Sequence, residues 1–194
     1  MINLYPKKKF GQNFLTNNSL LHLISKEIIE LSKKNNCNIC EFGTGFGNLT
    51  KFLLEFKVEI ISLERDRELI PHILLLFKSK SFKNFLKVYE TDIIHFFKDY
   101  FESYQFKTIL CGNIPYHLAN DILQKIIQFQ MFIPGSIFLV PEELAKKLLE
   151  NNQCNIYNLL KQKYKISILT KIYNNVFYPK PKIVSYLLKF ESKF

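Results

Sequence analysis

Short apolar runs alternate with segments of helical periodicity along most of this chain. The runs predicted as strands lie at residues 39–42, 58–63, 85–89, 108–112, 136–140, 166–172 and 183–190. The predicted helices span about 17–32, 48–56, 67–77, 93–98, 119–129, 141–150 and 156–164. Asn17 or Asn18 is the expected N-cap of the first helix. Strands that alternate with helices indicate an α/β fold with a largely parallel sheet.

The first predicted strand leads into a glycine-rich loop, Gly43-Thr44-Gly45-Phe46-Gly47. The carboxyl edge of an open parallel sheet is where ligands bind, and glycines there permit a tight turn and a close approach of backbone to ligand. The spacing differs from the dinucleotide fingerprint G-x-G-x-x-G, and a glycine loop alone is a weak signal.

The second and third predicted strands each end at a carboxylate. Glu64 lies 21 residues after Gly43, where nucleoside-binding α/β folds place the carboxylate that holds a ribose diol. The alternative for Glu64 is a surface charge in the turn 64–67. Asp92 is placed to accept from an exocyclic amine such as that of adenine, with Ile93 covering the ring. Asp92 is also a suitable helix N-cap, and the two roles are compatible.

The fourth strand ends at Asn113-Ile114-Pro115-Tyr116, the motif with the most unusual chemistry in the chain. Pro115 has no N–H and restricts Ile114 to an extended conformation, so the Ile114 carbonyl is a rigid acceptor. The Asn113 side chain adds a second acceptor, and Tyr116 offers a flat ring for stacking. Two acceptors at a fixed spacing suit a planar –NH2 group. The alternative is a proline-stiffened turn with a capping asparagine.

Composition and charge narrow the classes of partner. The chain has 194 residues, of which 47% are hydrophobic and 23% charged, and its net charge is +10. This balance fits one globular domain with a polyanionic partner, either nucleic acid or an anionic membrane surface. No apolar run reaches the roughly 20 residues of a membrane span, and no secretory signal is visible. Cys37 and Cys40 lack a second pair, so we expect no metal site and a reduced cytoplasmic compartment.

The N-terminal residues 1–16 form a basic arm. Lys7, Lys8 and Lys9 are candidates for contacts with RNA phosphates, the alternative being a solvated tail. Residues 10–15 combine a glycine, amides and apolar anchors, which suits a segment folded over a ligand. Near the other end of the chain, Phe177 precedes a loop stiffened by prolines and is either a pocket wall or a core aromatic. The chain has no P-loop motif and no pyrophosphate fingerprint, so S-adenosylmethionine is the adenosine cofactor that fits best.

With these motifs in order, the sequence resembles the ribosomal RNA adenine N6-dimethyltransferase family over essentially its whole length. The resemblance implies a class I methyltransferase fold, with helices on both faces of a mostly parallel seven-stranded sheet whose last strand is antiparallel. It also implies which residues line the S-adenosylmethionine site. With adjacent positions included, the expected cofactor-binding residues are Gln12, Asn13, Leu15, Gly43, Gly45, Glu64, Arg65, Asp92, Ile93 and Asn113. The catalytic residues are then 113–116, with Tyr116 and Phe177 stacking on the target base.

The implied reaction is methyl transfer to the N6 amino group of adenines in ribosomal RNA, with dimethylation of adjacent adenines of the small subunit. Residues 10–13 and 64–66 favour this housekeeping branch, although Ile114 is commoner in the large-subunit methylases of macrolide resistance. A noncatalytic ribosome-assembly or RNA-binding factor on the same fold is the other alternative. We expect residues 1–194 to form a single, monomeric domain without the family's small helical C-terminal domain. The expected partner is ribosomal RNA or a pre-ribosomal subunit.

Overall fold

Seven strands form the main sheet of the protein, whose computed structural model describes residues 5–7, 10–79, 82, 84–150 and 155–194. The strands are β1 (Phe14–Leu15), β2 (Asn38–Phe42), β3 (Ile60–Glu64), β4 (Leu86–Glu90), β5 (Thr108–Asn113), β6 (Gly135–Pro141), β7 (Tyr164–Ile172), β8 (Phe177–Tyr178) and β9 (Ser185–Ser192). The α-helices are α1 (Asn18–Asn35), α2 (Asn48–Leu54), α3 (Ile70–Leu76), α4 (Ile93–Tyr104), α5 (Ala119–Gln128), α6 (Glu142–Leu149) and α7 (Asn155–Lys163). Strands β1 and β8 pair with each other as a separate ribbon.

The main sheet has the strand order β4-β3-β2-β5-β6-β9-β7. Strands β2 to β6 pair in parallel, whereas β9 runs antiparallel to both β6 and β7. The predicted sheet, mostly parallel with an antiparallel last strand, is confirmed. Parallel strands are covered on both faces, which explains why β3 is buried at every position and reads as a continuous apolar run.

Helices cover both faces of the sheet, and each face has its own hydrophobic core. On one face, Ile28 of α1, Leu53 of α2 and Ile73 of α3 pack against the strands. On the other face, the core includes Phe97 of α4 and Ile122 of α5. Among the described residues, no helix combines the length and the apolar character needed to cross a bilayer.

The strand order places a topological switch point between β2 and β5. From β2 the chain adds β3 and β4 on one side, and from β5 it adds β6 on the other. In open α/β sheets the crevice at this point, beyond the carboxyl ends of the strands, is the ligand site. The loop that follows β2 and the motif that ends β5 therefore face each other across this crevice.

Element ends differ from the predictions by a few residues, and the β1–β8 ribbon was not predicted. Helix α4 continues six residues past its predicted end, and α3 begins three residues later than predicted. Pro141 is the N-cap of α6 and not a member of its first turn, while Asn17 caps α1 as expected. In the ribbon, Phe14 pairs with Tyr178 and Leu15 with Phe177. Strands of two residues have no periodicity to detect, because only their tertiary pairing defines them.

Gly112 is the position where the sheet tolerates a side chain least. Its φ is +137°, and an added Cβ would lie 2.3 Å from the Phe42 carbonyl oxygen. We expect Gly112→Ala to lower the free energy of unfolding by on the order of 3 kcal/mol, since backbone cannot move aside cheaply. Gly11→Ala is the control, because Gly11 also has a positive φ (+61°) but faces open space, so its cost is about 1 kcal/mol. Urea unfolding measures the free energy of unfolding of both variants. Equal losses of stability would contradict the close contact between Gly112 of β5 and Phe42 of β2.

Candidate active site

Two adjoining cavities open at the carboxyl edge of the sheet. The larger, of about 360 Å³, lies beside β3, the start of α4 and the end of β5. The narrower, of about 80 Å³, reaches below it toward β2 and α1. The two cavities share five lining residues: Asn13, Phe14, Gly43, Asn113 and Phe177. Of the predicted cofactor and catalytic residues, Leu15 lines the narrower cavity and all the others line the larger one.

The glycine loop after β2 takes backbone conformations that favour glycine. Gly43, Gly45 and Gly47 have φ values of 71°, 58° and 78°. A Cβ at Gly45 would lie 2.7 Å from the Phe14 ring, whereas one at Gly43 would meet nothing within 4 Å. Position 45 therefore requires glycine, because the Phe14 ring packs against it. The backbone at Gly43 is instead open to the cavity.

Glu64 is held beneath this loop by backbone donors. The Gly45 N–H donates to its Oε2 at 2.8 Å, and the Asp66 N–H donates to its Oε1 at 2.8 Å. Burial raises the pKa of the Glu64 carboxyl, and these backbone hydrogen bonds oppose that rise. A carboxylate has about four lone-pair sites, so the two oxygens retain capacity for ligand hydroxyl groups.

The two carboxylate oxygens of Asp92 have different partners. Its Oδ1 accepts from the Ile94 N–H at 2.9 Å and so caps α4, as the helix-cap alternative predicts. Its Oδ2 lies 3.4 Å from an Arg65 guanidinium nitrogen at the cavity wall. The neighbouring Ile93 is buried in the core below. Asp92 therefore caps α4 with one oxygen, and its other oxygen lies at the cavity wall beside Arg65, with the side chain 23% exposed.

The motif at residues 113–116 leaves the sheet at the end of β5. Pro115 has φ −60° and ψ 124°, and the Ile114 N–H donates to the Leu139 carbonyl at 3.1 Å. Tyr116 opens a short 3₁₀ helix, Tyr116–Leu118, and half of its surface is exposed. Within the described part of the chain, the exposed Asn113 side chain makes no hydrogen bond. Its amide oxygen is thus available to a ligand.

Phe177 and Lys7 have surroundings that the sequence did not reveal. Phe177 is buried, belongs to a core cluster and also borders both cavities, so the wall and core alternatives both describe it. The Lys7 ammonium lies 2.7 Å from Asp66 Oδ1 and 2.9 Å from Glu68 Oε1, and the hydrogen bond to Asp66 raises the pKa of Lys7. Lys8 and Lys9 lie outside the described residues.

Glu41 is a site residue that sequence reasoning missed. It lines the narrower cavity, and its Oε2 accepts from the Thr50 hydroxyl at 2.6 Å and from the Ser62 hydroxyl at 2.9 Å. Burial raises the pKa of its carboxyl from 4.5 to about 7. The available signal was a lone carboxylate inside the apolar strand Ile39-Cys40-Glu41-Phe42, because an unpaired charge is costly in a strand covered on both faces.

In the described ranges, no three His, Cys, Asp or Glu side chains lie close enough together to hold a metal ion. The polar groups at the cavities are instead amide, carboxylate and backbone groups. Such a set suits an organic ligand with hydroxyl and amino groups.

Comparisons with known proteins place the chain among RNA-modifying enzymes. A family model described as "Ribosomal RNA adenine dimethylase" matches residues 4–193. The ribosomal RNA small subunit methyltransferase A of Malacoplasma penetrans is 31% identical over 195 residues, covering 97% of this chain and 67% of the relative. The protein of the same name from Mesomycoplasma hyopneumoniae is 34% identical, covering 96% and 69%. The chain thus spans about two thirds of the length of these relatives.

Solved structures give the same picture of the fold. A dimethyladenosine transferase from Plasmodium falciparum has 26% identity and a TM-score of 0.76, covering 93% of this chain and 63% of that one. The 23S rRNA methyltransferase ErmE has a TM-score of 0.75 at 17% identity, covering 93% and 70%. At this level of identity, the similarity to ErmE shows a shared fold and nothing more.

Replacement of Glu41 tests its buried carboxyl independently of any ligand. Because its folded pKa is about 7 against an ordinary value of 4.5, the native state keeps a proton that the unfolded chain releases. Stability should therefore fall as the pH rises through this window and level off above it, by on the order of 3 kcal/mol from this group. Glu41→Gln should remove most of that fall in urea unfolding at several pH values. The exposed Glu55→Gln is the control, and a Glu41→Gln profile parallel to that of the wild type would contradict the assignment.

Proposed function

Because the chain belongs to the ribosomal RNA adenine dimethylase family, we propose that it transfers methyl groups from S-adenosylmethionine to the N6 amino group of adenines in small-subunit ribosomal RNA. The observation that carries this proposal is the position of Asn113. It lines both cavities and begins the motif whose two acceptors suit an amino group. A cofactor cavity and an amino-group site thus meet at one residue.

The residues around the larger cavity fit S-adenosylmethionine in chemistry and in size. Glu64 offers a buried carboxylate toward a ribose diol, and Asp92 offers its Oδ2, which lies beside Arg65, toward the adenine amine. The open backbone at Gly43 allows close approach of the amino-acid part of the cofactor. The volume of about 360 Å³ lies in the usual range of ligand sites. When bound, this cofactor supplies an activated methyl group on its sulfonium.

The chain's own contribution to the reaction is orientation. The adenine amino group is a poor nucleophile, because its lone pair is delocalised into the ring. Acceptance of its two protons by Asn113 Oδ1 and the Ile114 carbonyl favours a pyramidal nitrogen whose lone pair points at the methyl group. Positioning of this kind supplies most of the rate enhancement. No strong general base is needed, since the product ammonium is acidic enough to lose its proton to water.

The RNA substrate must present an unpaired or extruded base. The ring of Tyr116 is half exposed, lines the larger cavity with Asn113 and offers a stacking surface. The net charge of +10 favours a polyanionic partner, with Lys8 and Lys9 as the proposed phosphate contacts of the arm, whereas the Lys7 ammonium is engaged by Asp66 and Glu68. Dimethylation requires two transfers with an exchange of cofactor between them.

Cofactor binding is the first test. The wild type should bind S-adenosylmethionine in calorimetry, and Glu64→Gln should weaken binding by about 1.5–3 kcal/mol, the range for a hydrogen bond to a charged group. Glu90→Gln is the matched control, because Glu90 ends the adjacent strand and pairs with Arg67. A wild type that binds no S-adenosylmethionine would rule out the proposed function.

Asn113 separates chemistry from binding. Asn113→Ala should lower the rate of single-turnover methyl transfer by roughly 10²–10³ at saturating cofactor and RNA, the scale for one preorganised polar contact. RNA affinity should change little, because phosphates and stacking supply most of it. Gln124→Ala on α5 is the control for loss of an exposed amide, because Gln124 lines neither cavity. A near wild-type rate for Asn113→Ala would mean that the motif is only a turn, and a wild type that binds cofactor and RNA without transfer would favour a noncatalytic factor.

A further inference from the structure

Residues 10–15, here called the strap, cross the mouth of both cavities. Phe10 to Phe14 line the larger cavity, and Asn13 to Leu15 line the narrower one. The strap therefore carries three of the predicted cofactor residues, Gln12, Asn13 and Leu15. The position of the strap therefore determines whether these residues line the proposed cofactor cavity.

The C-terminal end of the strap is fastened by its own backbone. The Leu15 carbonyl accepts from the Asn48 side chain at 2.7 Å, and the β1–β8 pairing holds Phe14 and Leu15. The rings of Phe14 and Phe46 lie 4.2 Å apart between centroids. These contacts tie this end to α2 and β8 without any charged group.

At the N-terminal end of the strap, the carboxylate of Asp66 binds both Lys7 and Gln12, and Glu68 is a second, exposed partner of Lys7. Asp66 Oδ1 accepts from the Lys7 ammonium at 2.7 Å, and Asp66 Oδ2 accepts from the Gln12 amide at 3.0 Å. The Gln12 amide oxygen in turn accepts from the Lys7 N–H at 2.7 Å. The Asp66 side chain is only 4% exposed, so these hydrogen bonds are shielded from water. Both ends of the Gln12 amide are thus engaged with protein groups.

The same carboxylate lies next to the proposed ribose site. The Asp66 N–H donates to Glu64 Oε1, and Glu64 Oε2 accepts from the Gly45 N–H, each at 2.8 Å. Burial alone would raise the pKa of Asp66, but the hydrogen bonds from Lys7 and Gln12 hold it below its usual range. Asp66 is therefore an ionised group between the strap and the floor of the cavity, and a buried charge of this kind is stable only with its partners in place.

We propose that Asp66 is a positioning residue that holds the strap closed across the cofactor cavity, with Lys7 and Gln12 as its partners. Release of the cofactor then requires this fastening to open. Gln12 and Lys7 act through the strap and not by direct contact with the cofactor. The identity of the ligand rests on the proposed function, whereas the fastening of the strap does not.

Asp66→Asn tests the fastening with little change of shape. The introduced amide can accept from one partner, but its NH2 group opposes a donor of the other. Stopped-flow measurements with S-adenosylmethionine should show dissociation about tenfold faster and association faster as well, because the cofactor enters and leaves through the same opening, while the single-turnover transfer rate at saturating cofactor stays within about twofold of wild type. Glu68→Gln is the matched control, because it removes the exposed partner of Lys7 and leaves Asp66 intact.

A rescue variant distinguishes positioning from general destabilisation. In the double variant Asp66→Asn with Gln12→Glu, amide and carboxylate exchange places, so the hydrogen bond between the two positions re-forms in the opposite direction and the total charge is unchanged. Dissociation of the cofactor should return to within about threefold of the wild-type rate. Dissociation as fast as in the single variant would overturn the role of this hydrogen bond.

Amide hydrogen exchange without cofactor gives a readout that is independent of the proposed function. Peptides that cover residues 10–16 should exchange about tenfold faster in Asp66→Asn, while peptides from β5 and α5 should keep their wild-type protection. If the wild type binds no S-adenosylmethionine, the proposed function fails but strap exchange still tests the fastening. Unchanged strap exchange in Asp66→Asn, with or without cofactor binding, would overturn the proposal.

Discussion

Strands β2 and β5 lie side by side at the point where the sheet reverses its order, and the missing side chain of Gly112 allows their close approach. The Phe42 carbonyl oxygen occupies space that any Cβ at Gly112 would need. Phe42 leads directly into the glycine loop, and Gly112 leads directly into Asn113. One backbone contact therefore sets the glycine loop and the motif at residues 113–116 side by side. Every other feature of the site is arranged around this pair.

Three buried carboxylates then connect the surrounding elements to that pair. Glu41 joins β2 to Thr50 of α2 and Ser62 of β3, and Glu64 joins the glycine loop to the turn after β3. Asp66 joins that turn to the strap. Burial raises the pKa of the first two, whereas the pKa of Asp66 is lowered because it alone receives a hydrogen bond from a cationic side chain. Among the described residues, the three buried acidic side chains thus lie together at the site, in a protein whose net charge is +10.

The sequence predicted the parts of the site that lie at strand ends. Parallel strands bring their carboxyl ends to one edge, so Gly43, Glu64, Asp92 and Asn113 could be assigned to one crevice from their order and spacing alone. The restriction of Ile114 to an extended conformation is likewise a prediction from local sequence, since proline restricts the residue before it. These features are local, or they depend on a topology that alternating strands and helices specify. The same reasoning recovered the seven-stranded sheet and its antiparallel strand.

Only the tertiary structure decided how groups far apart in the sequence share their hydrogen bonds. Nothing local indicates that Lys7 and Gln12 both meet Asp66, which lies 59 and 54 residues away. Nor does periodicity show that Phe177 is both core and cavity wall, or that β1 and β8 pair through two residues each. Hydrophobic patterning tells which side of an element is buried, but it does not tell which donor reaches which acceptor. That choice depends on distances set by the packing of the whole chain, because a buried polar group must find its partner within about 3 Å.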